Sequence, residues 1–569
     1  MSRSDEEIID EIDVRLGYRM GWPKPLPVLP VKQVPVVGES EYVDKFASVS
    51  RGIQAILDAE RIDGSPRLVF RYSYEDKAPS EEDVTILIDC KVGPISWLNP
   101  LKEVRKLLSR NELDFRIEFF DSSTPCRFNH AISPTDPVVS EWRSLHRARV
   151  LWVIEEANWQ TVNVFRRGNS HEPSECPVTL LITAFDTHED YWWERLLPNI
   201  EKFWRYKVEL NAATDILSMD NASELESLSG NIGMGSSIGG KGATESGTLG
   251  GGVTLEWSNG DKTTVGITNH HVIGDRRVNI CKFLYNISST MLTSIILAAT
   301  GHDGPLLPSN DLVTTKVIEV VSPSDADFKE LITTTEQLVS YWKAVVHGRP
   351  GTPGLKVIAE YDECKRPQLQ KFLDSIHSAE ERKKSIASCD RSAGFVASSS
   401  GYRAVNNKGY QWALDWAVIS LRPERPIVNV ISGTAIDSGL GPYEGLRVNR
   451  WSTIGPLADL VVFKKGRSTG WTYGTVNGIE TDMKLNPRAD GYGHRQKVAA
   501  WAVPTPSKLA NFATSGDSGS LVLKSGGVII GLLFAANPID GTGYFTPFES
   551  IVSDIEAVTG AKVVEPQQI

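Results

Sequence analysis

Three short strings in this 569-residue chain carry side chains that could do chemistry together. The first, VGITNHHVIGD (Val265 to Asp275), ends a β-like run in a small polar turn bearing His270 and His271. A histidine held at a strand end can serve as a general base near neutral pH; taken alone, the pair fits a structural or surface role as well. The second, TSGDSGSLVL (Thr514 to Leu523), sets Ser518 between glycines on a turn ahead of an apolar strand. Small neighbours let a carbonyl approach the hydroxyl, and glycine permits the backbone angles that aim two N–H groups at a developing oxyanion. An ordinary Gly/Ser hairpin is the other reading of that string. The third, YQWALDWAVISL (Tyr410 to Leu421), places Asp415 in a run whose neighbours are nearly all apolar. Burying a carboxylate unpaired is costly, so Asp415 requires a partner. An imidazole is one candidate and strand-edge backbone amides are another.

In chain order, His271, Asp415 and Ser518 with their local strings resemble the trypsin-like (chymotrypsin-fold) serine peptidases. TNHHV resembles the histidine string of that family, DWAVISL its Asp-x-Ala-apolar-apolar strand, and GDSGS its nucleophile loop. A fourth string, VFKKGRSTGWTYGTV (Val462 to Val476), resembles the Gly-x-Thr-Thr-Gly-x-Thr-x-Gly hairpin of the streptogrisin and α-lytic branch. The resemblance covers residues 247–562. It implies acyl transfer in which Ser518 attacks, His271 takes and returns the proton, Asp415 orients the imidazole, and the N–H groups of Gly516 and Ser518 bind the oxyanion. It implies no metal and no cofactor. It also implies that Asp517 turns inward onto a basic side chain, for which Lys464, Lys465 and Arg467 are candidates. The substrate pocket implied is walled by Phe512, Ala513, Leu533, Phe534, Ala535 and Gly543. No acid stands there to attract Lys or Arg, and no histidine to attract Glu, so an apolar or small P1 side chain is expected. Three departures stand out. His271 and Asp415 lie 144 positions apart, far more than the family core uses; Ser520 replaces the second glycine of the nucleophile loop; and Ser468 replaces the first of the paired threonines.

The rest of the chain must supply the elements that hold these side chains. Its length exceeds the roughly 250–300 residues at which one core stops growing, so several domains are expected. A 41% hydrophobic and 23% charged composition fits packed domains rather than disorder. The net charge of −11 has the wrong sign for non-specific attraction to nucleic acid or anionic lipid. The acidic start is unlike a signal peptide, and no stretch approaches the ~20 apolar residues that span a bilayer. The six cysteines are scattered without a CxxC pair, which reads as reduced thiols in a cytoplasmic protein.

The domain order expected is as follows. Residues 1–65 form an extended arm, because PKPLPVLPVKQVP (Pro23 to Pro35) cannot sustain a helix. Residues 66–228 form an α+β regulatory or pro-domain, in which VTILI and VTLLI each open one copy of a duplicated βαβ element. Residues 229–252 form a linker, since Ser229 to Gly252 holds ten glycines in 24 residues. Residues 247–562 form an all-β double barrel of chymotrypsin type, interrupted by a helical insertion at 324–391 and closed by a carboxy-terminal helix over Phe548 to Gly560. In the insertion, Phe328, Leu331, Ile332, Leu338, Val339, Trp342 and Val346 share one helical face, and Leu369, Phe372, Leu373 and Ile376 another. The function expected is an intracellular serine endopeptidase acting on protein or peptide substrates, with no nucleic acid or membrane partner. It processes itself within the linker and is regulated by the amino-terminal domain. A catalytically silent scaffold or binding module on the same fold is the alternative, and the oligomeric state stays open.

Overall fold

The computed structural model describes residues 11–27, 31–36, 41–73, 78–91, 96–122, 127–213, 231–243, 246–273, 318–349, 352–431, 445–453, 460–485, 496–505 and 511–565. Two six-stranded barrels form its carboxy-terminal half. In the first, the strands Ser237–Gly240, Glu319–Val321, Ser392–Ser399, Ala417–Leu421, Lys262–Thr268 and Gly251–Glu256 follow one another around the sheet. Gly247–Thr248, just ahead of the last of these, pairs back onto Ser237–Gly240 and closes the ring. In the second, Gly470–Thr475, Val461–Gly466, Leu521–Lys524, Val528–Ala536, Gly543–Pro547 and Gln496–Val503 are consecutive neighbours. The N–H of Asn477, donating to the carbonyl of Ala502 at 2.8 Å, brings the first and last of these together. Alternation along each strand fills the interiors, as a small barrel requires.

The helix Phe548–Thr559 ends at Gly560, whose φ is +72°. The resemblance places such a helix on the second barrel. Here Phe548, Ile551, Val552 and Ile555 pack into a cluster shared by Val253, Leu255 and Ile267 of the first barrel with Phe463, Leu521 and Leu523 of the second. The helix therefore stitches the two barrels together, and Lys562–Val564 beyond it pairs with Gly251–Glu256.

The glycine-rich segment is not a linker. Residues 231–243 and 246–252 are barrel strands and turns, largely buried. Glycine is needed there for close approach between segments: a Cβ at Gly250 would stand 2.3 Å from the carbonyl oxygen of Gly519 in the nucleophile loop. A composition that resists isolated strands instead serves close backbone packing.

The arm expected over 1–65 is also corrected. Asp13–Leu16, Arg19–Trp22 and Val31–Pro35 are strands of a six-stranded sheet that also holds Arg116–Phe120, Val84–Asp89 and Pro66–Ser73. Prolines are accommodated because Val31–Pro35 lies at the sheet edge, where a missing N–H breaks no ladder. The helix Glu41–Ala59 follows, burying Val49, Ile53 and Leu57 beside Leu101, Val104 and Leu108 of the helix Leu98–Arg110.

Both βαβ units are present as parallel pairs, Val84–Asp89 with Arg116–Phe120 and Val178–Ala184 with Lys207–Ala212. They do not share a sheet. The second unit continues the sheet of the second barrel, because Trp159–Gly168 pairs with Thr481–Leu485 in the register Asp482↔Val162 and Met483↔Thr161. Residues 66–228 are thus no single unit set apart from the barrels. The junction is held by Arg143 on Glu480 at 2.9 Å, Arg147 on Asp482 at 2.5 Å, and the Lys484 ammonium donating to the carbonyls of Glu155 and Ala157.

Between His271 and Asp415 the helices Asp325–His347 and Arg366–Ala387 run antiparallel, tied by Lys383–Glu336 and Lys343–Glu380. The buried seam is narrower than the apolar stripe in the sequence. Val339, Val346, Ile376 and Ile386 are buried, while Leu338 and Leu373 face solvent at 41% and 40% exposure.

Candidate active site

Strand pairing brings the first two chemical strings together. Lys262–Thr268 lies antiparallel to Ala417–Leu421 with Thr268 opposite Ala417, so the residues just beyond these two ends must meet. His271 sits on the single turn His270–Ile273 that follows. Its Nδ1 lies 2.5 Å from Asp415 Oδ2, and its own N–H donates to Asp415 Oδ1 at 3.0 Å. The Asp415 carbonyl accepts from Asn269 Nδ2 at 2.6 Å and from the His270 N–H at 3.1 Å. Histidine and carboxylate are both buried, at 4% and 6% exposure. The carboxylate thus has the partner its apolar setting demands, and that partner is the imidazole as well as a backbone amide. His271 Nε2 is buried and has no hydrogen-bond partner among the described residues. His270 turns aside: its ring lies edge-on to Tyr402, with Nδ1 3.0 Å from the Ser399 hydroxyl.

The nucleophile string is held from below by Asp517, which is fully buried. Of the three basic candidates, Lys464 is its partner, with Nζ 2.8 Å from Oδ2. The same carboxylate accepts from the N–H groups of Ser468, Thr469 and Thr514 and from the Thr469 hydroxyl. Burial pushes the Lys464 ammonium below its ordinary range, against the pull of Asp517. The other two go elsewhere: Lys465 reaches over the Trp471 ring, and Arg467 binds Asp327 of the insertion at 2.6 Å.

Above this anchor, Gly516 has a φ of +87°, a conformation L side chains rarely adopt. Among the described residues no acceptor takes the N–H of Gly516 or Ser518. Ser518 is tied to the histidine side of the site through Thr248, whose N–H donates to the Ser518 carbonyl at 2.8 Å and whose own carbonyl accepts from the Thr268 hydroxyl at 2.7 Å. The Ser518 hydroxyl, however, donates to the Phe534 carbonyl at 3.2 Å rather than to His271. The structure therefore brings His271 and Asp415 into contact and seats Ser518 on the same seam, with its hydroxyl turned away.

The pocket residues inferred from the sequence do not enclose an open pocket. Phe512 and Ala513 are 0% exposed and Leu533, Phe534 and Ala535 each 1%. Phe512 packs against Gly543, where a Cβ would lie 2.7 Å from its ring. Phe512, Ala513 and Leu533 belong to the second barrel's core, while Phe534, Ala535 and Tyr544 share a buried cluster with Phe165 and Leu181 of the amino-terminal strands. Phe165 and Leu181 escaped sequence reasoning because their only signal is apolar character. Asp327 escaped it because an acid three residues past a Ser324 cap reads as an ordinary first-turn residue. No cluster of three or more His, Cys, Asp or Glu side chains able to hold a metal occurs among the described residues.

Residues 412–563 match the family model described as Peptidase family S64. This marks residues 412–563 as peptidase sequence. No curated protein matches it. Among solved structures the chain is similar to a Cellulomonas bogoriensis chymotrypsin at 18% identity, covering 27% of this chain and 70% of that one with a TM-score of 0.20. It is also similar to a glutamic acid specific serine protease that utilizes a histidine triad in substrate binding, at 15% identity, 29% and 93% coverage and a TM-score of 0.18. A third likeness is to the active form of the Rv3671c protease from M. tuberculosis, at 14% identity, 30% and 68% coverage and a TM-score of 0.16. The matched family segment contains Asp415 and Ser518 and begins after His271. Among the described residues no helix is long and apolar enough to cross a membrane.

Proposed function

We propose that the chain hydrolyses peptide bonds through His271, Asp415 and Ser518. The observation carrying this reading is the buried His271–Asp415 pair, which fixes the imidazole by Nδ1 and leaves Nε2 without a partner among the described residues, with Ser518 tied to the same seam through Thr248. A rotation of the Ser518 side chain off the Phe534 carbonyl hands its proton to Nε2. Its oxygen then attacks the substrate carbonyl, and the unpaired N–H groups of Gly516 and Ser518 receive the oxyanion. The imidazolium, stabilised by Asp415, returns the proton to the leaving amine. Water repeats the sequence to release the acid and restore the serine.

The amino-terminal strands regulate this site. Phe165 and Leu181 are buried in one cluster with Phe534 and Ala535, on the strand whose carbonyl holds the Ser518 hydroxyl, so on this reading the enzyme rests in a latent state that must open for substrate. Phe512 fills the region below, which favours a small P1 side chain. Self-processing, if it accompanies activation, takes place outside 231–243 and 246–252, whose backbone is committed to the barrel. The test is labelling of the full chain by a fluorophosphonate, beside Ser518→Ala and Phe165→Ala. The reading expects labelling in the wild type, its abolition by Ser518→Ala, and acceleration by Phe165→Ala. Equal labelling of wild type and Ser518→Ala would reject it.

A further inference from the structure

The oxyanion turn is propped by a residue of the helical insertion. Arg467 lies at the tip of the hairpin formed by Val461–Gly466 and Gly470–Thr475 and is 3% exposed. Its guanidinium lies directly against Gly516: a Cβ there would be 2.5 Å from Nη2 and 2.7 Å from Cζ. Its backbone N–H donates to the Thr248 hydroxyl at 3.0 Å, and that hydroxyl donates in turn to the Gly516 carbonyl at 2.9 Å. Arg467 thus meets the turn twice, through its side chain and through Thr248. What fixes the guanidinium is Asp327, whose Oδ1 accepts from Nη1 at 2.6 Å, with both side chains almost fully buried at 1% and 3% exposure.

Asp327 is itself held in place. It stands in the first turn of Asp325–His347, where its N–H donates to the Ser324 cap hydroxyl at 3.2 Å. Ser324 is tied to the first barrel, its N–H donating to the Ser237 hydroxyl at 3.1 Å. Asp327 Oδ2 is buried with no partner among the described residues, a cost that a merely packed helix start would avoid. We infer that Asp327 is a positioning residue for the oxyanion turn, acting through Arg467, so that the start of the insertion sets the geometry of Gly516. This inference rests on the proposed role of Ser518 and the Gly516 turn. It gives the insertion a function at the site without any contact to substrate.

The experiment measures fluorophosphonate labelling of the full chain against probe concentration, together with backbone hydrogen exchange over residues 514–519 and thermal unfolding. Asp327→Asn removes the charge that holds Arg467 while keeping the side chain's size. The expected result is a limiting labelling rate about tenfold to a hundredfold lower, less than the roughly hundredfold to thousandfold lost when an oxyanion donor itself is removed. The half-saturating concentration holds and exchange at 514–519 speeds up. Ser324→Ala, a milder change that removes the cap hydroxyl, moves the same readouts in the same direction and serves if Asp327→Asn does not fold. A folded variant that labels and exchanges within twofold of the wild type would overturn the positioning role. Wild type that leaves Ser518 unlabelled, together with an unlabelled Phe165→Ala, would instead defeat the peptidase mechanism on which the inference rests.

Discussion

Asp517 shows what one buried charge does for the residue beside it. Its carboxylate gathers three backbone N–H groups, a hydroxyl and the Lys464 ammonium, so the segment from Thr514 to Ser518 is fixed from beneath while the N–H groups of Gly516 and Ser518 have no acceptor among the described residues. Lys464→Met leaves that carboxylate buried without its cation, a loss of about 3–5 kcal/mol by comparison with broken buried pairs. We expect a lower unfolding temperature and lost fluorophosphonate reactivity; unchanged values of both in a melting and labelling comparison would contradict the anchor. At this scale the sequence was most informative, because His271, Asp415 and Ser518 each lie in strings whose neighbours restrict their use. It could not select among Lys464, Lys465 and Arg467. All three lie on one hairpin and are buried, and only their partners separate them: Asp517 and Asp327 from distant segments, and Trp471 across the hairpin itself.

Strands and helices were legible as periodic segments, but their neighbours were not. The segment from Ser229 to Gly252 reads as flexible because glycine lowers every local propensity, yet residues 231–243 and 246–252 build barrel strands that need close backbone contact. The prolines from Pro23 to Pro35 hide an edge strand for a related reason, since an edge tolerates what a sheet interior does not. The six-stranded sheet has its own charged centre. Glu118 accepts from Arg19 Nε at 2.7 Å and from Arg71 Nη2 at 2.6 Å, with all three side chains buried. Burial alone would raise its pKa, but Arg19 and Arg71 hold it below the ordinary carboxylate value. A depressed folded pKa contributes stability above the unfolded value of about 4.3, and that stability is lost as pH falls through the folded value. Denaturant midpoints measured from pH 7 to pH 2 should therefore drop below about pH 4, and Glu118→Gln should flatten that limb while lowering stability at neutral pH. An acid limb of the same steepness in the variant would refute the assignment.

Across the whole molecule, the division into arm, regulatory domain, linker and protease gives way to a separate six-stranded sheet and a continuous sheet that runs from Lys207–Ala212 through Trp159–Gly168 into the second barrel. The cause lies in sequence separation: Val162 pairs with Asp482, and no local pattern announces a partner so far along the chain. This continuity gathers Phe165 and Leu181 into one buried cluster with Phe534 and Ala535, so the latency proposed above would belong to the assembled fold rather than to a detachable segment. Loosening that cluster with Phe165→Ala should raise the fluorophosphonate labelling rate severalfold even as it lowers thermal stability by about 3–5 kcal/mol, the usual cost of emptying a buried phenylalanine site. A variant that melts earlier yet labels no faster would mean that the amino-terminal strands support the barrel without restraining the site. The most direct test of the central claim is tandem mass spectrometry of the full chain and of Phe165→Ala after fluorophosphonate treatment. The account predicts a single adduct on Ser518 in both, formed faster in the variant and lost with His271→Ala; an adduct on another residue, or none on Ser518 in either folded protein, would contradict it.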